Sequence, residues 1–333
     1  MLMNKPSVNK LAFEVVKKMD KKSDLINVTF TELSNGATVI DCGIEAKGGL
    51  LAGRYVTEIC LGGLGRANVT TMEIEENTFP AITVVTDNPP IALLASQLAG
   101  WKVKGAEGKV YGYASGPARA SALKPKKLLP NYEFSQLDYQ DKADVAVVFL
   151  EPMKEGLPGD AEAEFLADKC GVSVDKCYMV VAQTNSMAGS VQVSGRVVEM
   201  GIYKMTSLGY DPKKVMYGAG IAPIAPVNPD EQKAMSQTND MILYGGKTFY
   251  EVDDTDGDDL ETFVTQIPSS ASKDYGEPFY DVFKKANFDF FNVDPGLFSP
   301  AAVILSSLRT GKSVSAGKIN TKVLQESLDI KKL

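Results

Sequence analysis

Five short runs decide how the fold is read: LINVTFT (Leu25–Thr31), ATVID (Ala37–Asp41), RYVTEIC (Arg54–Cys60), VTTME (Val69–Glu73) and AITVVT (Ala81–Thr86). Each is short and rich in β-branched residues, and turn signals such as Ser34-Asn35-Gly36 and Asn77 to Pro80 separate them. They read as strands, several in succession. Before them, Ser7 can cap a helix over Val8 to Lys18, with Leu11, Phe13, Val15 and Val16 apolar. After them, Asn88-Pro89-Pro90 opens a helix running through Gln97. Further strands are predicted at Lys109–Tyr113, Asp144–Leu150, Tyr178–Ala182 and Ser190–Val193. Further helices are predicted at Asp160–Lys169, Arg196–Leu208, Asp230–Asp240, Tyr275–Lys285, Pro300–Leu308 and Thr321–Ser327. Consecutive strands followed by mixed elements favour α+β over a regular βαβ winding. The stretch from Lys124 to Tyr139, rich in Lys and poor in pattern, reads as a domain connection. The expected domains are 1–130 and 131–333, with the C-terminal segment free to pack back on the first.

The chain has 333 residues, 44% hydrophobic and 23% charged, which is the composition of a soluble globular protein with a sizeable core. No apolar run approaches the roughly 20 residues of a membrane helix. The N-terminal MLMNKPSVNK lacks an apolar signal region, so a cytoplasmic protein is expected. A net charge of −7 disfavours nucleic acid as a partner, though not a small anionic ligand. Cys42, Cys60, Cys170 and Cys177 form no CxxC pair and read as reduced, mostly buried thiols. Histidine is absent altogether. That removes Ser-His and Cys-His nucleophile systems, His-ligated zinc and His general bases. Proton transfer falls to carboxylates, Lys, Tyr or Cys. A hydrolase built this way needs a very electrophilic substrate or a metal held by oxygen ligands.

Several motifs could carry chemistry. Gly62-Gly63-Leu64-Gly65 fails the dinucleotide fingerprint because Asn68 replaces the third glycine, and it reads as a tight turn. Gly311-Lys312-Ser313 lacks the glycine a P-loop needs. The acidic stretch Glu251–Asp259 lacks the closing Glu of a calcium loop and reads as a solvated turn. In Ser115-Gly116-Pro117-Ala118-Arg119, Ser115 or Gly116 can cap and Pro117 suits the first helical position. With Arg119, Lys124, Lys126 and Lys127 close by, either an anion site or a solvated basic loop fits. Gly218-Ala219-Gly220 with Ala222-Pro223-Ile224-Ala225-Pro226 reads as a rigid, close-approach loop. Ser236-Gln237-Thr238-Asn239-Asp240 ends a helix with groups that suit either a heterocycle or a C-terminal cap. In Ser194-Gly195-Arg196-Val197-Val198-Glu199, the helical period puts Val197, Val198, Ile202, Met205 and Leu208 on one arc. Arg196, Glu199 and Tyr203 gather on the other. An i, i+3 Arg–Glu pair is either a surface salt bridge or a carboxylate base whose charge state a guanidinium sets.

Taken together the blocks resemble one family. They are Ala95-Ser96-Gln97-Leu98-Ala99-Gly100-Trp101, Ser115 to Ala120 with Leu123-Lys124-Pro125-Lys126, and Gly189 to Glu199. Gly209-Tyr210-Asp211-Pro212, Thr238-Asn239-Asp240, Asp274 to Phe279 and Asp294-Pro295 follow in order. The chain is similar, over nearly its whole length, to the methenyltetrahydromethanopterin cyclohydrolases of archaeal and some bacterial one-carbon metabolism. It departs from their pattern at Ala95, Leu98, Ile221-Ala222, Ser270 and Ala271, and not at Arg196 or Glu199.

The resemblance implies a homotrimer of subunits with two α+β domains and a pterin pocket between them. It implies Glu199 as general base, with Arg196 positioning the water. It implies substrate contacts at Ser96, Gln97 and Leu98, and at Ser115, Gly116, Arg119, Lys124, Thr238, Asn239 and Asp240. It implies no metal and no cofactor, the pterin being the substrate, and neither nucleic acid nor membrane as partner. The methenyl group is part of an amidinium-like cation, so one oriented water and one base suffice. Two other classes remain to be separated: a phosphate-ester enzyme using the basic loop, and a non-catalytic binding protein for a pterin carrier.

Overall fold

A computed structural model describes residues 5–153, 155–255, 257–289 and 292–330. Of the stretches read above, the first four residues and Asp256 of the acidic stretch lie outside them. The strands, in chain order, are β1 (Thr29–Glu32), β2 (Thr38–Asp41), β3 (Gly65–Ile74), β4 (Asn77–Thr86), β5 (Trp101–Lys104), β6 (Val110–Ser115) and β7 (Lys127–Leu129). They continue with β8 (Tyr132–Glu133), β9 (Ala146–Pro152), β10 (Cys177–Val181), β11 (Val215–Pro223), β12 (Lys247–Val252), β13 (Ala302–Ser307) and β14 (Ser313–Gly317). The α-helices are α1 (Val8–Asp20), α2 (Ser23–Ile26), α3 (Leu50–Cys60), α4 (Ala118–Ala122), α5 (Asp160–Cys170) and α6 (Met187–Ser194). After them come α7 (Val197–Ser207), α8 (Glu231–Gly245), α9 (Leu260–Val264), α10 (Phe279–Lys285) and α11 (Thr321–Ser327). Pro90–Gln97 is a π-helix. The fold is α+β, as the succession of strands predicts. Among the described residues no helix is long and apolar enough to cross a membrane.

The chain divides into two compact units, and not at residue 130. The first takes residues up to Arg66 together with Pro90–Gln192; the second takes Ala67–Pro89 and the chain from Val193 onward. The stretch expected to connect domains forms the small β7–β8 hairpin and a 3-10 turn within the first unit. The C-terminal segment belongs to the second unit. Its composition misled because a short hairpin of Lys, Pro and Tyr has no long apolar period to recognise.

The first unit is built on a six-stranded sheet, order β1-β2-β10-β9-β6-β5, in which β2, β10 and β9 are parallel. β9 and β10 are covered on both faces, hence their unbroken apolar runs. On one face Ile40, Val147, Phe149 and Val180 pack with Val15, Val16, Val56 and Ile59 of α1 and α3. On the other, Val39, Val148, Leu150 and Met179 pack with Ala163 and Leu166 of α5. At the end of β2 the Asp41 carboxylate collects the N–H groups of Gly43, Ile44, Glu45 and Ala46 at 2.7–3.0 Å. That fixes the loop leading into α3.

The second unit has its own six-stranded sheet, order β14-β13-β12-β11-β4-β3. Its core gathers Met241 and Tyr244 of α8, Phe279 and Phe283 of α10, and Val323 and Leu324 of α11 against Phe79, Ala81 and Ala225.

Three predicted elements change type. Arg54–Cys60 is helical: over the longer window Ala52, Tyr55, Val56, Ile59 and Cys60 fall at helical spacing and are all buried. The β-branched residues masked that period. Ser190–Val193 is helical and buried apart from the partly exposed Val193, so little amphipathic signal exists. Pro300–Leu308 contains strand β13; a short apolar run does not by itself distinguish a buried helix from a central strand. Other readings shift as well: the first strand begins at Thr29 and not at Leu25, and a helix begins at Phe279 and not at Tyr275. Ser236–Asp240 lies inside α8, which runs on to Gly245. Gly218–Pro223 is strand and not loop, though it does serve close approach.

Candidate active site

The second unit holds the Arg–Glu pair. Arg196 is the N-cap of α7 and Glu199 stands in its first turn. Arg196 Nη1 donates to Glu199 Oε2 at 3.3 Å, and the side chains are only 13% and 5% exposed. This is not a surface salt bridge. A carboxylate at that turn is also favoured by the helix dipole. The pKa of Tyr203, one turn along, is raised by burial and then by the charge of Glu199.

Glycines let α7 come down onto the sheet. A Cβ at Gly218 would stand 3.0 Å from Val198 Cγ1, and one at Gly220 would stand 2.9 Å from Val198 Cγ2. Ser194 Oγ, just before α7, donates to the carbonyl of Pro223 at 2.8 Å. Farther along, the buried Lys204 ammonium donates to Gly296 O at 3.1 Å; burial lowers its pKa and Asp294 opposes that.

Thr238, Asn239 and Asp240 also belong to this unit. Thr238 Oγ1 and Asn239 Nδ2 both donate to Met235 O at 2.8 Å, within α8 itself. Asp240, fully buried, accepts from Phe279 N at 2.9 Å and Ser327 Oγ at 2.6 Å. It thereby ties α10 and α11 to α8.

In the first unit, Ser96, Ser115, Gly116 and Arg119 come together around the end of the π-helix. Ser96 Oγ donates to Cys60 O at 2.6 Å, and Gly116 N donates to Ser96 O at 2.9 Å. Ser115 Oγ lies 3.7 Å from Cys60 Sγ. Gln97 is fully buried and Leu98 nearly so. Gly116 takes a φ of +92°, the left-handed region that glycine enters without strain. Arg119 has a task different from the expected anion contact. It is wholly buried, and Nη1 donates to the carbonyls of Leu94, Ala95 and Ser96 at 3.0–3.4 Å. Those are carbonyls at a helix C-terminus, which lack helical partners and carry negative dipole charge. Pro117 is the N-cap of α4, a helix too short to offer an anion site. Lys124 is partly exposed, with its backbone N–H on Arg119 O. Cys60 is a buried free thiol, as its sequence reading expects.

The family model described as Cyclohydrolase (MCH) matches residues 7–328. The chain is 47% identical over 325 residues to the methenyltetrahydromethanopterin cyclohydrolase of Methanocaldococcus jannaschii, covering 97% of this chain and 98% of that one. It is 46% identical over 330 residues to the protein of that name from Methanococcus maripaludis, covering 98% and 99%. To the one from Methanothermobacter marburgensis it is 44% identical over 327 residues, covering 97% and 99%. These matches place the two-unit α+β chain in a class of hydrolases. This chain belongs to the cyclohydrolase (MCH) family.

Proposed function

We propose that this protein reversibly hydrolyses 5,10-methenyltetrahydromethanopterin to 5-formyltetrahydromethanopterin, with Glu199 as general base and Arg196 orienting the water. The observation that carries the reading is the Arg196–Glu199 pair, withdrawn from solvent at the first turn of α7 in a chain without histidine. An ion pair withdrawn from solvent is costly to keep, which supports a use for it in the reaction. Water held against the guanidinium loses a proton to Glu199 as its oxygen bonds to the bridging carbon. The resulting tetrahedral adduct opens by breaking the bond from that carbon to N10: N10 keeps the electron pair and takes the proton that Glu199 holds, while the adduct's hydroxyl gives up its proton to solvent as the formyl C=O forms. The formyl group stays on N5. The carbon is electrophilic because the methenyl bridge shares a positive charge between two nitrogens, so the step requires no cofactor. An anionic carboxylate also attracts that cation. The working form is a homotrimer in the cytoplasm, acting on the free pterin with neither nucleic acid nor membrane. Light scattering on the purified chain is expected to give the mass of three subunits.

Loss of the methenyl chromophore tests the reading. Glu199→Gln preserves shape and cannot accept the proton, so turnover is expected to fall by about 10²–10⁴-fold with the carrier still bound. Arg196→Lys is expected to recover only part of what Arg196→Gln loses, because a point charge cannot hold carboxylate and water in one planar fork. Near-normal turnover by Glu199→Gln removes it as the base; binding with no turnover by the unaltered protein leaves a pterin-binding protein.

A further inference from the structure

One buried polar group beside Glu199 is unused by this scheme. Tyr250, on β12, is 0% exposed, and its hydroxyl donates to the carbonyl of Val198 at 2.6 Å. The carbonyl it reaches is in the first turn of α7, the turn that carries Glu199. The carbonyl it holds belongs to the peptide that joins Val198 to Glu199. Room for the hydroxyl exists because residue 201 is glycine: a Cβ there would lie 2.0 Å from Tyr250 Oη and 2.9 Å from Cζ. Gly218 and Gly220 provide the matching room for Val198 on the sheet side.

We infer that Tyr250 is a positioning residue for the reaction, its hydroxyl fixing where the first turn of α7, and therefore Glu199, stands relative to the sheet. The inference rests on the reading of Glu199 as the base. Packing alone does not account for the group. A phenylalanine would fill the same space without a buried hydroxyl to satisfy. Nor does the helix need it, because Val198 O and Ile202 N are each other's partners in an ordinary helix. What the hydroxyl adds is a directional tie from a rigid strand to the backbone next to the carboxylate. It acts as a hydrogen-bond donor and not as an acid: burial drives its pKa far up, and the charge of Glu199 pushes the same way.

The test uses the full-length enzyme and the methenyl substrate, comparing wild type, Glu199→Gln, Tyr250→Phe, Gly201→Ala and the Gly201→Ala/Tyr250→Phe double variant. Tyr250→Phe keeps the ring, so the fold is expected to survive. Its kcat is expected to fall about ten-fold or more, since displacements near 1 Å at a reacting group cost roughly 10². Its KM should stay within about two-fold, because the hydroxyl touches no substrate. Gly201→Ala should lower kcat in the wild type and cost less once Tyr250 is Phe, which removes the 2.0 Å contact and leaves the ring carbon at 2.9 Å, a non-additivity that marks two groups sharing one space. Unchanged kcat in Tyr250→Phe alongside an inactive Glu199→Gln makes Tyr250 a packing residue and overturns the inference. Equal effects of Gly201→Ala in both backgrounds also overturn it. An active Glu199→Gln overturns both the assignment of the base and this inference built on it.

Discussion

Asp240 is a carboxylate with no solvent, held inside α8 by two donors from other elements. Burial raises its pKa from 3.8 to about 7; the Ser327 hydroxyl and the Phe279 N–H oppose the rise, and Asp281 adds to it. The sign of the consequence follows. A folded pKa above the unfolded one means the folded state holds the proton more tightly. The stability this contributes is complete below the unfolded value and is lost as pH rises through about 7. The slope is about 1.4 kcal/mol per pH unit where folded and unfolded states differ by one proton. Melting midpoints of wild type and Asp240→Asn, compared from pH 4 to 8, should therefore converge or cross, with the wild type losing ground across that window. A constant gap would show that Asp240 titrates as an ordinary carboxylate. At this scale the sequence was most legible where spacing alone matters: the i, i+3 relation of Arg196 to Glu199 survives in the structure as a contact. It was least legible for Arg119 and Asp240, because a charged side chain in sequence does not say whether water or backbone will satisfy it.

The π-helix at Pro90–Gln97 depends on one side chain from another element. Arg119 closes its last carbonyls, while Ser96 Oγ and Gly116 N fasten the same end to α3 and to the residue that follows β6. Arg119→Leu would leave those carbonyls buried and without that donor, at roughly 1.5–3 kcal/mol per charged hydrogen bond lost. A melting midpoint lower by several degrees is expected, and lysine should restore only part of it, since its ammonium carries three donors but on a shorter stem than the guanidinium nitrogen that meets the carbonyls. A midpoint within a degree of wild type would show that the helix end is held without it. Elements were legible in sequence where the period was unshared. Thr321–Ser327 appears with the boundaries its pattern predicts, and α1 and α5 extend only slightly beyond theirs. In most of α6 burial erases the contrast on which periodicity depends, and in β13 the exposed position is itself apolar, Ile304, so the run shows no alternation. The Gly218–Gly220 signal was read correctly as close approach and wrongly as loop, because what approaches is Val198 of a helix not yet placed.

The path of the chain decides what can fold alone. It passes from one unit to the other after Arg66, after Pro89 and after Gln192, so neither unit is continuous in sequence. Two strands at the centre of the first sheet, β9 and β10, lie at Ala146–Pro152 and Cys177–Val181. A fragment of residues 1–130 keeps β2 and β6 but loses their neighbours β10 and β9, and with them Val147, Phe149 and Val180 of the core. The surviving strands would be bare edges around an open apolar face, a state that unfolds or aggregates. Such a fragment is expected to show no cooperative melting by circular dichroism. Residues 1–192 with 67–89 replaced by a short Gly-Ser linker retain the six strands of that sheet and both helical layers, and should melt cooperatively. Cooperative folding of 1–130 would place a domain boundary where composition alone suggested one. The interruption was illegible because residues 67–89 read as two more strands of a succession, and a hairpin's sequence does not say to which sheet it belongs.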